Sequence, residues 1–157
     1  MGTINYTTSK YITLGLKPYN IEDIRADYME DYSDDILYEI KSDIEDDDRK
    51  EVEKELENHS FNWWKVEVIP GYYEGFSIRI TDNFDLWLYA SEKKEANKEV
   101  TEIKKLLCLL VDDFNLVSCC PFWCTTYHSP KESKQYIREA IKEMRKDIAA
   151  VKNSRGC

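Results

Sequence analysis

The sequence predicts an α+β domain: a mostly antiparallel sheet of about four strands, two long C-terminal helices packed on one face of it, and acidic helices at an edge. Three observations predict it. Apolar residues alternate with a period of two near the N-terminus and again between Phe61 and Tyr89. They recur at helical spacing over two long stretches after Ser91. Residues 20–60 combine helical spacing with a heavy excess of carboxylates.

In chain order, Ile12, Leu14 and Leu16 share one face of a predicted strand over Tyr11–Leu16, and Pro18 ends it. Asn20 is placed to cap a helix carrying Ile21, Ile24, Tyr28 and Tyr32 on one side. Ser33 caps a second helix with a stripe of Ile36, Leu37, Ile40 and Ile44. The run Glu45 to Asp48 is too polar to bury, which predicts a break or exposed turn before helical spacing resumes from Arg49 to Asn58. Two strands follow, with Trp64, Val66 and Val68 on one and Phe76, Ile78 and Ile80 on the other, joined through Pro70-Gly71-Tyr72-Tyr73-Glu74-Gly75. A third strand over Phe84–Tyr89 would complete a β-meander across 61–89.

Ser91 opens a long amphipathic helix through Ala96, Val100, Ile103, Leu107, Leu110, Val111 and Phe114. Asn115 to Tyr127 is apolar and cysteine-rich, a short buried strand or an ordered loop. Ser129-Pro130-Lys131-Glu132 has capping-box spacing with proline at the first helical position, and Ile137, Ala140, Ile141, Met144 and Ile148 form the buried stripe of the last helix. With no repeat and few Gly or Pro, residues 1–157 are expected to form a single domain, its 91–152 part being two helices joined by the cysteine-rich segment.

The net charge is −9, and it is uneven: residues 20–60 carry 17 acids against 5 bases, whereas residues 130–157 carry 8 bases against 4 acids. A dense carboxylate surface repels phosphate backbones and attracts cationic ones, so direct nucleic-acid binding through that face is excluded and a basic partner is favoured. Five cysteines are an odd number, and no apolar stretch of signal-peptide or membrane length is present, so the expected setting is the cytoplasm with free thiols and no membrane partner.

Cys119, Cys120 and Cys124 with His128 present thiolate and imidazole ligands of the kind zinc takes. The spacing departs from a zinc knuckle, because Cys119 and Cys120 are adjacent and a fourth protein ligand beyond these would come from Cys108 or His59. Small apolar cysteines in a buried segment are the alternative, in which case no cofactor is required. A thiol nucleophile would need Cys124 to meet His128 across a turn, and no Gly-rich phosphate loop or Ser-centred elbow occurs, so no catalytic residue is assigned. Asp46-Asp47-Asp48 lacks the alternating ligands and the glycine of a calcium loop and reads as a solvated turn. Tyr72, Tyr73 and Glu74 fall at the hairpin tip, expected beside Trp63 and Trp64; aromatics there serve recognition if exposed, or cover the core if folded back.

The string Pro70-Gly71-Tyr72-Tyr73-Glu74-Gly75-Phe76, followed by the long helix, Cys120-Pro121-Phe122-Trp123-Cys124-Thr125 and a last charged helix, resembles small proteins encoded by tailed phages, from about Phe61 onward. That resemblance implies a genomic setting and brings no activity or catalytic residue with it. Together with the acidic block it leads to the expectation of a non-enzymatic protein that occupies a basic, often nucleic-acid-binding surface of a host protein, as an anti-CRISPR or other anti-defence inhibitor does. Asp34, Asp35, Asp46, Asp47 and Asp48 would steer association and Tyr72, Tyr73 and Glu74 would add specificity. The alternatives are a zinc- or thiol-dependent protein using the cysteine cluster, a structural, oligomeric phage component, and a charge run that only keeps a surface helix solvated.

Overall fold

The computed structural model of the chain describes residues 12–17, 19–28, 31–70, 76–82, 87–114, 116–118 and 128–153. Its elements run β1 (Ile12–Leu16), α1 (Ile21–Asp27), α2 (Asp34–Glu57), β2 (Trp64–Pro70), β3 (Phe76–Asp82), β4 (Trp87–Leu88), α3 (Ala90–Asp113), β5 (Leu116–Ser118), α4 (Pro130–Ala150) and β6 (Lys152–Asn153). This is an α+β fold built on an antiparallel sheet of four strands in the order β2-β3-β1-β5.

Register puts Val66 opposite Ile80, Val68 opposite Ile78, Ile12 opposite Ile80 and Leu14 opposite Ile78. Directly paired residues project to the same side of a sheet, so these side chains make one apolar face. Against that face pack Val100, Ile103, Leu107 and Leu110 of α3 and Ile137, Ile141, Met144 and Ile148 of α4, in one cluster of buried residues. Each fully buried aliphatic side chain stabilises the fold by about 1.5–3 kcal/mol. Helix α2 joins the cluster through Val52 and, half-buried, Leu56, and it contacts the edge strand β2. The acidic helix therefore lies at an edge.

The ends of the helices follow from their capping residues. Asn20 Oδ1 accepts from Glu22 N at 2.8 Å, Ser33 Oγ accepts from Ile36 N at 3.4 Å, and Ser129 Oγ accepts from Glu132 N at 3.1 Å while Glu132 returns a bond to Ser129 N at 2.9 Å. These side chains satisfy amide groups that the helix itself leaves open.

Three expectations are corrected. Helix α2 does not break at Glu45–Asp48; it runs unbroken from Asp34 to Glu57. Glu45 is only 8% exposed and is accommodated because Lys41, one turn earlier and equally buried, places Nζ 3.6 Å from its carboxylate, while Tyr19 N donates to the same carboxylate at 3.4 Å. A buried charge is tolerable when paired and hydrogen-bonded in this way. Among the described residues the strand expected over Phe84–Tyr89, whose first part lies outside them, does not continue the meander: β4 pairs in parallel with β6 in a separate two-stranded sheet, while β3 takes β1 as its second neighbour. Tyr28 and Tyr32 do not extend the stripe of α1, which ends at Asp27; they meet edge to face at 5.9 Å, with Tyr28 42% exposed.

Candidate functional site

Most carboxylates of α2 fall into two groups by what surrounds them. On one side opposite charges meet. Arg49 places Nη2 2.7 Å from Asp46 and Nη1 2.6 Å from Glu53, and Lys50 lies 3.2 Å from Asp46. The two cations hold the Asp46 carboxyl below its usual range, Arg49 contributing most. At the N-terminal end Asp34 is bound by Arg25 at 2.6 Å, and in the middle Asp48 accepts from the Tyr19 hydroxyl at 2.5 Å. Burial, reinforced by Asp48 and Glu45, pushes the Tyr19 phenol well above its ordinary value, so it remains a donor.

The second group forms a row at four-residue steps: Asp35, Glu39, Asp43, Asp47 and Glu51. All five are exposed, and none makes an ion pair or hydrogen bond among the described residues. Successive members rise about 6 Å along the axis, so the row covers roughly 24 Å of a helix about 36 Å long. Beside it run Ile36, 41% exposed, and Ile40 and Ile44, partly exposed. An unpaired acidic ridge thus adjoins an apolar one.

Of the residues singled out from sequence, Asp35 and Asp47 belong to this row, while Asp34, Asp46 and Asp48 are engaged within the molecule. Glu39, Asp43 and Glu51 were missed, although a count in fours from Asp35 finds them. Tyr72, Tyr73, Glu74, Cys119, Cys120 and Cys124 lie outside the described residues. Trp64 opens β2, with Trp63 just before it, and is 1% exposed.

His128 is described, and its surroundings are specific. Its Nδ1 lies 2.7 Å from Ser118 Oγ and its backbone N donates to Ser118 O at 2.9 Å. Ser133 Oγ accepts from Ser118 N at 2.9 Å and lies 3.3 Å from Ser118 Oγ. A serine against an imidazole is the geometry of an activated nucleophile. Here, however, Ser118 is 1% and Ser133 0% exposed, and the three residues join the end of β5 to the start of α4. Nδ1 is the ring nitrogen of His128 that bonds to Ser118, and Nε2 has no hydrogen-bond partner among the described residues. Cys108 is half-buried on α3, and His59 stacks on Phe61 at 5.6 Å. Among the described residues no group of three or more His, Cys, Asp or Glu side chains is arranged to hold a metal ion. Among those residues, too, no helix is long and apolar enough to cross a membrane.

No family model, curated protein or solved structure matches the chain.

Proposed function

We propose that this protein is a non-enzymatic binding protein that lays the acidic row of α2 against a basic surface of another protein. The observation carrying the proposal is the like-charge order of Asp35, Glu39, Asp43, Asp47 and Glu51. Carboxylates four residues apart on a helix repel by about 0.2–0.5 kcal/mol per pair, so four successive contacts cost α2 roughly 1–2 kcal/mol at low salt. Solubility does not require that cost, since interspersed lysines hydrate a helix equally well. Elsewhere on α2 that interspersed pattern is present, with Arg49 and Lys50 between Asp46 and Glu53. A local arrangement that opposes its own helix is expected where function is served.

A row of fixed negative charges spaced along a rod imitates, in sign and form, what nucleic-acid-binding surfaces receive. The resemblance to tailed-phage proteins directs the search for a partner to host nucleic-acid-handling and defence proteins, CRISPR effectors among them. Long-range attraction would set the association rate, and Ile36 and Ile40 beside the row would contribute apolar contact. Neither a metal nor a catalytic residue enters the proposal.

The test compares two baits in host lysate, the native chain and a variant with Glu39→Gln, Asp43→Asn and Asp47→Asn. The native bait should retain a basic protein at low salt and release it as the screening length shortens. The neutralised bait should not retain it. Retention of the same protein by both baits, or retention insensitive to salt, removes the acidic row from the function.

A further inference from the structure

The same chain carries a surface complementary to the α2 row. Helices α3 and α4 pack antiparallel, with Arg145 bonded to Asn97 and Thr101 and Lys134 placed 2.5 Å from Asp112. Those contacts fix which flank of α4 borders α3. At 100° per residue, that flank also carries Arg138 and Lys142, whereas Glu139, Glu143 and Asp147 fall on the far flank. On α3, Lys94, Lys98 and Lys105 turn outward on the side that receives Arg145, and all three are exposed. The result is a cationic furrow between two long helices. Glu102 is the carboxylate bordering it on α3, and Asp112 is already bridged by Lys134.

Resting on the reading that the α2 row is a contact surface, we propose that its partner is a second copy of this chain, α2 of one copy lying antiparallel along the α3/α4 furrow of the other. The spacings match. With exposed Ile36 set opposite Leu109, itself 44% exposed, the common helical rise brings Asp47 to Lys98 and Glu51 to Lys94, and sets Glu39 one residue, about 1.5 Å, from the level of Lys105. Asp43 then comes level with Glu102, one residue from Thr101, where Arg145 stands with its Nη2 2.8 Å from the Thr101 hydroxyl. Three of these carboxylates meet a lysine, the fourth has Arg145 within a residue's rise and Glu102 against it, and the two exposed aliphatic side chains meet each other. Antiparallel packing also opposes the two helix dipoles. A phosphate backbone would find the same cations, but it would approach a molecule of net charge −9 whose acidic helix repels it.

Sedimentation of the purified full chain at about 20 mM and about 300 mM salt tests the pairing, because the screening length shrinks several-fold over that range. The native chain should form assemblies larger than 18.6 kDa at low salt and dissociate at high salt. Asp47→Lys alone and Lys98→Glu alone should each weaken association at least tenfold, and the double variant carrying both in one chain should recover it. Glu102→Lys should tighten it. Thermal unfolding of each variant separates loss of contact from loss of fold. A chain that stays monomeric at low salt, or a double variant no better than either single one, overturns the proposal. So does a Lys98→Glu chain that assembles normally but no longer retains a single-stranded oligonucleotide. If assembly is absent while the neutralised bait still loses its lysate partner, only the choice of partner fails; if the neutralised chain keeps both assembly and partner, the contact role of α2 fails with it.

Discussion

Glu99 lies on the buried side of α3 and commits both carboxylate oxygens to backbone: Asn62 N donates to Oε2 at 2.8 Å and Trp63 N to Oε1 at 2.9 Å. One turn earlier, the Trp64 indole donates to Ala96 O at 3.0 Å. The two groups clamp the start of β2 to α3. Glu99→Ala should therefore destabilise the fold by about 2–3 kcal/mol, because it strands two amide donors, while Glu99→Gln keeps an acceptor and should cost less. Urea unfolding, with the exposed Glu95→Ala as reference, checks this; equal losses for Glu99→Ala and Glu95→Ala would refute the clamp. A second carboxylate gives a pH signature. Arg79, 2.7 Å away on the neighbouring strand, holds the Glu67 carboxyl below its usual range, with help from Lys65 at 3.5 Å. A carboxyl depressed in the folded state adds stability above its unfolded pKa and loses it as pH falls through the folded one. The stability gap between the native chain and Glu67→Gln should be under about 1 kcal/mol at neutral pH, since the pair is partly solvated, and should close on acidification below the ordinary carboxylate range. A gap that widens in acid has the wrong sign. Neither role was legible beforehand, since a lone Glu in an amphipathic stripe and an acid–base pair twelve residues apart acquire partners only through the fold.

At the level of elements, α4 was legible to its first residue because capping is local: Ser129, Pro130 and Glu132 act within one turn. Helix α2 was legible in composition but not in continuity. Glu45 to Asp48 looked unburiable, and what makes the helix continuous there is supplied by Lys41 and by Tyr19, which is 26 residues from Glu45 and 29 from Asp48. The acidic row shows the reverse, being present in the sequence and visible only once the helix is unbroken. Its strain is measurable. Asp43→Lys replaces two repulsive contacts, with Glu39 and Asp47, by attractive ones and should stabilise the chain by roughly 1–2 kcal/mol at low salt. The same change should reduce capture of a basic partner, so stability and binding move in opposite directions. Thermal unfolding at low and high salt beside the binding assay decides it; a variant that is less stable, or more stable with binding intact, contradicts the account of why the row exists.

Across the whole molecule, the alternation in β1, β2 and β3 announced strands without announcing their order, because pairing partners lie far apart in the chain. β1 sits between β3 and β5, so residues 12–16 must meet both 76–82 and 116–118 before the sheet is complete. Such closures cost chain entropy before they are rewarded, which is why neither periodicity nor propensity encodes them directly. Leu14 is where they converge: it is 0% exposed, paired with Ile78 on one side and Ser118 on the other, and belongs to the core cluster that α3 and α4 complete. Leu14→Ala should cost about 3–5 kcal/mol, toward the upper part of the range for a buried leucine, because neighbours fixed on both flanks cannot collapse into the cavity. The loss should also be shared. Since β5 is tied to α4 through the Ser118–Ser133 bonds, hydrogen exchange should quicken in β3 and in α4 together, although the two elements are distant in sequence. Exchange that quickens around β3 alone, with α4 protected as before, would mean that β1 is an appendage of the hairpin and not the strand that joins it to the helical layer.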